Sequence, residues 1–270
     1  MTYGFPSIMT QQKRGAVVAP RGRYVYCIVE TDEEIDLGPM GIGEEESPVY
    51  TVHHVGIAAL VSATSLCRYE PTRENLLAHE RVNETVMRAH TVIPMAFGTI
   101  LPGEAEVTAL LRGIASALTE ALDAVRGRVE LGLNVVWDRD RVLSDLEVDH
   151  EAIRRLRGEI ASEAGGSTYF SRVQLGRLVE EALEASASEL MWGVSESLRP
   201  LSVASRAGKL VGDNMILNVA FLVERTREDE FNHAVEKLAA RYDGVLSFKY
   251  TGPWPPYSFV RLRLALEETG

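Results

Sequence analysis

The sequence predicts an α+β protein with two α/β domains, the C-terminal one ferredoxin-like, and with a flexible N-terminal tail. Hydrophobic residues make up 46% and charged residues 25% of the chain, the composition of an ordinary globular protein. Its 270 residues exceed the roughly 100–150 of a typical domain. Short apolar runs also alternate with longer stretches of helical periodicity. We therefore predict a disordered tail over residues 1–22, an N-terminal α/β domain over 23–138, and a ferredoxin-like domain with connecting helices over 139–270.

The first part of the chain is predicted to contain two strands, an acidic loop and a helix. Apolar runs rich in β-branched or aromatic residues predict strands at Arg23–Glu30 and His53–Ala63. Between them, Thr31–Ser47 is rich in carboxylates, glycine and proline, which is typical of a surface loop. It lacks the alternating oxygen ligands of a calcium-binding loop. A helix is predicted to begin after Thr72, whose hydroxyl suits the N-cap position, and to run to about His90.

Two more strands and an amphipathic helix complete the predicted first domain. Residues 91–102 predict a strand. Apolar residues recur at spacings of three and four along Glu104–Val125, so one face of this helix must be covered. The run Arg128–Asp138 predicts a strand that could close the first domain.

The second half of the chain shows an alternation of helices and strands. A polar helix is predicted over 139–164, and the longest amphipathic run, Tyr169–Leu198, predicts a second helix. Thr226 is the predicted N-cap of a later helix. Counted from Val129, the order is strand, helix, strand, strand, helix, strand, which is the ferredoxin-like pattern. The later predicted elements are strands at 199–207 and 214–225, a helix at 226–241, and strands at 244–250 and 258–266.

The charge of the chain argues against nucleic acid and lipid membranes as partners. Twenty-eight Lys and Arg residues stand against 39 Asp and Glu residues, a formal net charge of −11. Such a surface repels phosphate backbones and anionic headgroups. No stretch has the roughly 18 apolar residues of a membrane span, and the first residues lack a signal-peptide core. Because its two cysteines, Cys27 and Cys67, lie in apolar runs typical of reduced, buried thiols, the protein is predicted to be cytoplasmic.

The histidines do not have the spacing of a catalytic or metal-binding motif, and we predict no enzymatic activity, no cofactor and no metal site. His79-Glu80 begins like a zinc-protease motif, but Asn83 stands where the second histidine would be. His79 and His90 share a helix face but lie about 16 Å apart at 1.5 Å per residue, too far to share one metal ion. We interpret them as buried histidines that position their helix. Use of either one as an acid or base is the alternative.

The most distinctive stretch is YTGPWPPYSFV, at residues 250–260. Its three prolines fix φ near about −65° and remove three backbone donors, so the stretch is predicted to run extended and not to be a central strand. Two roles are open for Trp254 and Tyr257. They plug the seam between the two domains, or they form an exposed aromatic platform that binds a partner protein.

Several of these stretches resemble the gas vesicle protein F/L family. The resemblance rests on RYVYCIVE, HHVGIAALVS, LLAHERVNETVMRAHTVIPMAFGTI, VELGLNVVWD and YTGPWPPYSFV, in that order between Arg23 and Val260. It implies an accessory protein of gas vesicle formation with two α/β domains, one ferredoxin-like, and no known enzymatic chemistry. It also implies association with the small hydrophobic protein that builds the vesicle shell. The positions that match the family's two longest motifs include His79, Pro94, Phe97, Gly98 and residues 252–257.

Three hypotheses about function follow. The first is a non-enzymatic accessory protein that binds the major shell protein, and other gas vesicle accessory proteins, and assists assembly, with Trp254 and Tyr257 at the contact. A shell subunit must expose apolar surface, which aggregates in water unless something covers it. The second is a minor structural component of the vesicle wall, and both place the protein on gas vesicles in the cytoplasm. The third is an enzyme with a small-ligand site between the domains and with His79 or His90 as acid or base.

Overall fold

A computed structural model describes residues 22–43, 47–65, 68–162 and 169–260 of the chain. Residues 1–21 of the predicted tail, Cys67 and the end of the last predicted strand lie outside these ranges. The described elements form two antiparallel sheets with helices packed against both. The mixed composition of helix and strand that the sequence predicts is therefore confirmed.

The first sheet has the strand order β2-β3-β4-β1-β5, and β6 also pairs with β1. Strand β1 lies in the interior of this sheet. Its residues 24–29 are all buried, as in a strand that is covered on both faces. Neighbouring strands cover its backbone on both sides. The strands are β1 (Gly22–Glu30), β2 (Asp36–Pro39), β3 (Pro48–His54), β4 (Ile57–Thr64), β5 (Val92–Pro94) and β6 (Ile100–Leu101).

Two predictions for this sheet are wrong. The single strand predicted at His53–Ala63 is a hairpin, which reverses at Val55 and Gly56 with φ of 36° and 75°. Positive φ at both central residues is typical of a tight hairpin turn, but valine rarely adopts it, so the turn was hidden in an apolar run. The acidic stretch predicted as loop contains β2, which pairs with β3.

Three helices accompany the first sheet: α1 (Arg73–Met87), α2 (Glu104–Gly113) and α3 (Ala115–Val125). Thr72 is the N-cap of α1, as predicted, and its side chain accepts a hydrogen bond from the Asn75 amide. The one helix predicted at residues 104–125 is interrupted at Ile114. Helices α2 and α3 bury Val107, Leu111, Leu118 and Leu122 in a core cluster with Val25 and Ile28 of β1.

The second sheet has the strand order β10-β7-β9-β8. Strand β7 does not close the first sheet, since it pairs with β9 and β10, and the predicted boundary after Asp138 therefore follows the first strand of the second sheet. Among the described residues, three helices lie between β7 and β8, and a fourth lies between β9 and β10. The elements are β7 (Arg128–Trp137), α4 (Arg139–Asp149), α5 (Glu151–Ser162), α6 (Tyr169–Leu198), β8 (Ala204–Ala207), β9 (Met215–Glu224), α7 (Glu228–Arg241) and β10 (Leu246–Trp254).

The start of α7 departs from its prediction. Thr226 lies in a short 3-10 turn, Arg225–Arg227, and the N-cap is Arg227, which makes no side-chain capping bond. The first turn of α7 instead carries three acidic residues, whose negative charges stabilise the helix by interacting with the positive end of its dipole.

A shared hydrophobic core joins the two sheets. One cluster of buried side chains includes Tyr24 of β1, Val82 of α1, Leu131 of β7, Phe221 of β9 and Phe231 of α7. The first sheet thus packs through α1 towards the second sheet, and the division of the chain into two domains stays a prediction. None of the helices within the described ranges is both long and apolar enough to cross a membrane.

Candidate functional site

The first part of the proline-rich stretch, residues 250–254, is the end of a strand that is not central, as its composition predicts. Strand β10 lies at the edge of the second sheet, next to β7. Its pairing is irregular after Thr251 and resumes once, where Trp254 lies opposite Glu130. The edge tolerates the missing proline donors because no further strand needs them. Residues 254–260, which we call the C-terminal segment, then leave the strand through a turn.

The C-terminal segment bridges α1 and β7. The Tyr257 hydroxyl donates a hydrogen bond to Oε1 of Glu80 at 2.9 Å and accepts one from Nδ2 of Asn83 at 3.0 Å. The next residue, Ser258, donates from its amide and its hydroxyl to the two carboxylate oxygens of Glu130, both at 2.7 Å. Hydrogen bonds to a carboxylate are stronger than those between neutral groups. The segment is therefore hydrogen-bonded to α1, which accompanies the first sheet, and to β7 of the second sheet.

These contacts place Tyr257 against α1, where the C-terminal segment runs between the helix and the second sheet, a boundary that we call the seam. That this boundary separates two domains stays a prediction. Trp254 is half-buried at the sheet edge. Binding of a partner protein by Trp254 and Tyr257 stays a prediction.

The charge state of this contact follows from its burial. Burial, reinforced by the Glu80 carboxylate, raises the pKa of Tyr257 above its usual value, so its hydroxyl keeps the proton that it donates. Burial also raises the pKa of Glu80, against the opposing effect of the Tyr257 hydrogen bond. The second carboxylate oxygen of Glu80 is buried without a hydrogen-bond partner in the described part of the chain. The hydrogen bond between Tyr257 and Glu80 is thus a polar contact that solvent reaches only in part.

His79 is packed inside the protein and does not face solvent. Its side chain is 2% exposed, and its Nδ1 lies 3.0 Å from the hydroxyl of Tyr24. That hydroxyl also accepts a hydrogen bond from the Gly98 amide. The rings of Tyr24, Tyr26 and Phe97 surround the imidazole. Burial lowers the pKa of His79 to about 4, so the ring is neutral at pH 7.

This environment agrees with a histidine that positions its helix. Tyr24 links the imidazole on α1 to Gly98, which precedes β6, and so ties the helix to the sheet. A dissolved substrate has no access to a ring that is 2% exposed.

Two cavities in the described part of the chain do not involve the histidines. One cavity of about 410 Å³ lies at one end of the second sheet, where Trp137, Asp138, Asn214 and Ser247 line it. A second of about 360 Å³ lies between α7 and β10. Neither is lined by His79 or His90. Among the residues that the structure describes, no group of three or more His, Cys, Asp or Glu side chains could hold a metal ion.

An exposed apolar group that the sequence analysis missed lies at the start of α6. Tyr169, Phe170 and Val173 are 68%, 79% and 47% exposed, and we call these three side chains the α6 tip. They do not lie on the same face of α6 as Leu175, where the apolar stripe that faces the core starts. Two adjacent aromatics that precede the stripe were the signal that could have indicated this surface.

The described residues define an α+β protein of two antiparallel sheets, with half-buried seam contacts and an exposed aromatic tip on a long helix. The model of the family described as "Gas vesicle synthesis protein GvpL/GvpF" matches residues 22–261. The chain therefore belongs to this family of gas vesicle proteins, as the resemblance predicts.

Individual relatives agree with the family match. Gas vesicle protein F of Streptomyces sp. (strain CB03234) is 33% identical over 238 residues, which cover 88% of this chain and 98% of the relative. Gas vesicle protein F1 of Halobacterium salinarum is 28% identical over 248 residues, 91% of this chain and 95% of the relative. The crystal structure of GvpF from Anabaena sp. PCC7120 is similar with a TM-score of 0.78 at 26% identity, covering 90% of this chain and 100% of that one. The similarity thus extends over nearly the whole chain.

Proposed function

We propose that this protein is a non-enzymatic accessory protein of gas vesicle formation, which binds the major shell protein and assists its assembly. The observation that carries the proposal is the family match, which spans residues 22–261. A shell-forming subunit exposes apolar surface before it assembles, and such surface aggregates unless a partner covers it. The net charge of −11 would keep the complex in solution. In this role the protein acts in the cytoplasm, associates with gas vesicles and contacts other accessory proteins.

We further propose that the second sheet and its helices are the ferredoxin-like domain. The observed order, β7, helices α4 to α6, β8, β9, α7 and β10, supports this proposal because it repeats the strand and helix order of that fold. Three helices stand where the ferredoxin-like pattern has one. The first sheet with α1 to α3 is then the other α/β domain.

Co-expression with the major shell protein tests the proposed function. The lysate is centrifuged, and the supernatant is separated by size exclusion. We expect the shell protein to co-elute with this protein and to pellet when expressed alone. A shell protein that pellets equally in both cases would remove the proposal.

Two additional measurements refine this test. Trp254→Ala in the same assay examines whether Trp254 contributes to the contact, because its indole is half-buried rather than enclosed. Washing of purified gas vesicles distinguishes the second hypothesis, since a component of the wall would remain at a constant ratio to the shell protein, whereas an assembly factor would be removed.

A further inference from the structure

We infer that the α6 tip is the docking surface for an apolar segment of the shell protein that carries carboxylates beside its apolar residues. The inference rests on the proposed function and adds to it the surface and the chemistry of the contact. The α6 tip consists of Tyr169, Phe170 and Val173, which are exposed at the start of α6. They take no part in the hydrogen bonds of Tyr257 to α1.

The side chains of the α6 tip are arranged as a contact surface before any partner binds. Phe170 and Val173 are three residues apart, and Tyr169 and Val173 four apart, so the three side chains adjoin on the helix. The rings of Tyr169 and Phe170 meet edge to face, with centroids 5.6 Å apart and planes at 80°. Each ring thus restricts the other, which lowers the entropy lost on binding. Exposed aromatics of this kind are frequent binding hot spots.

The charge around the tip indicates what kind of segment binds there. The described residues of α5 and of the first eleven positions of α6, 151–162 and 169–179, contain five arginines and two glutamates, although the chain as a whole carries −11. The two helices pack against each other. Three of the five arginines pair with glutamates, two of which lie outside these ranges, so the excess positive charge rests on Arg154 and Arg172. This pair of helix ends is therefore less acidic than most of the surface and repels a carboxylate less.

Arg172 is the arginine of this region that we expect to bind a carboxylate of the partner. It lies between Phe170 and Val173 in the sequence, its side chain is exposed, and no described residue forms an ion pair with it. Arginines 155, 157 and 177, by contrast, pair with Glu159, Glu147 and Glu181. Arg172 comes three residues after Tyr169, so their side chains adjoin on the helix. A guanidinium without an ion pair beside this ring can bind a carboxylate in the bidentate mode. An apolar segment with an adjacent Asp or Glu fits both features.

Three variants in the co-expression assay test this surface. Tyr169→Ser combined with Phe170→Ser removes the aromatic contact, and Arg172→Glu reverses the charge. The matched control is Trp192→Ser, because Trp192 is an aromatic residue of the same helix with 67% exposure, well away from the tip. All of these side chains are exposed, so circular dichroism and the thermal midpoint should match wild type.

We expect the double variant to reduce the shell protein in the soluble complex by about tenfold or more, as for the loss of hot-spot aromatics. Arg172→Glu should reduce it by roughly threefold to tenfold at low salt, with a smaller reduction at high salt because ions screen the attraction. Trp192→Ser should stay within about twofold of wild type, as for a surface change outside the contact.

Other results would overturn the inference in distinguishable ways. If the double variant binds like wild type while wild type still co-elutes with the shell protein, the tip is not the surface, although the proposed function stands. If Trp192→Ser alone loses binding, the contact lies at the other end of α6. If the protein by itself is a dimer that the double variant converts to a monomer, a second copy occupies the tip. If wild type does not retain the shell protein at all, the inference and the proposed function both fail.

Discussion

Acidification should lower the free energy of unfolding through His79. In the folded protein burial lowers the pKa of this imidazole to about 4, against an ordinary value of 6.5. The unfolded chain therefore takes up a proton as the pH falls through about 6.5, whereas the folded chain resists it until about pH 4. The stabilisation is present above the unfolded pKa and is lost as the pH falls towards the folded one. Between about pH 7.5 and about pH 5, this single group costs about 2 kcal/mol.

Urea unfolding of wild type and of His79→Gln across this pH range isolates the effect. Glutamine is polar but does not titrate, so the difference between the two pH dependences belongs to His79. The comparison is needed because Glu80 has a raised pKa and acts in the opposite direction, with stability lost as the pH rises. Parallel pH dependences for the two proteins would refute the reasoning that the imidazole is buried and neutral.

Three further predictions concern the seam and the core. Tyr257→Phe removes the hydrogen bonds to Glu80 and Asn83 and should lower the free energy of unfolding by about 1–3 kcal/mol; an unchanged urea midpoint would contradict the seam contact. Leu118→Ala, at a fully buried position of α3, should lower it by about 2–5 kcal/mol, and a loss below about 1 kcal/mol would mean that this core is loosely packed. In a Cys67→Ser background, Cys27 should react with a thiol reagent only after unfolding, because burial raises the pKa of its thiol; rapid labelling of the native protein would oppose this.

The elements that could be predicted from sequence are those with an unambiguous period or composition. Strand β1 matches its predicted range to within one residue, and helix α6 ends at Leu198 as predicted, because one is a bounded apolar run and the other keeps helical spacing from Leu175 to Leu198. The hairpin turn at Val55 was missed because valine is uncommon at positive φ, and only its tertiary setting imposes that conformation. The place of β7 in the second sheet depends on its pairing with β9 and β10, which its own composition does not encode.

The candidate sites could also be predicted from the sequence only in part. The stiffness of the proline-rich stretch and its exclusion from a central strand follow from covalent geometry and could be predicted. The partner of Tyr257 could not, since Glu80 lies 177 residues earlier in the chain and its neighbours give no sign of the contact. The α6 tip was overlooked for a different reason: helical periodicity selects the face that packs inside and ignores apolar residues that precede it.

The fastening of the seam also bears on how the protein is made. Tyr257 and Ser258 are synthesised after every helix and strand described above, whereas Glu80, Asn83 and Glu130 leave the ribosome long before them. Chains fold from the N-terminus as they emerge from the ribosome. The polar side chains on α1 and β7 are therefore hydrated until Tyr257 and Ser258 have been synthesised. Closure of the seam is therefore a late event in biosynthesis, and a chain truncated before residue 257 should leave its two sheets without this connection.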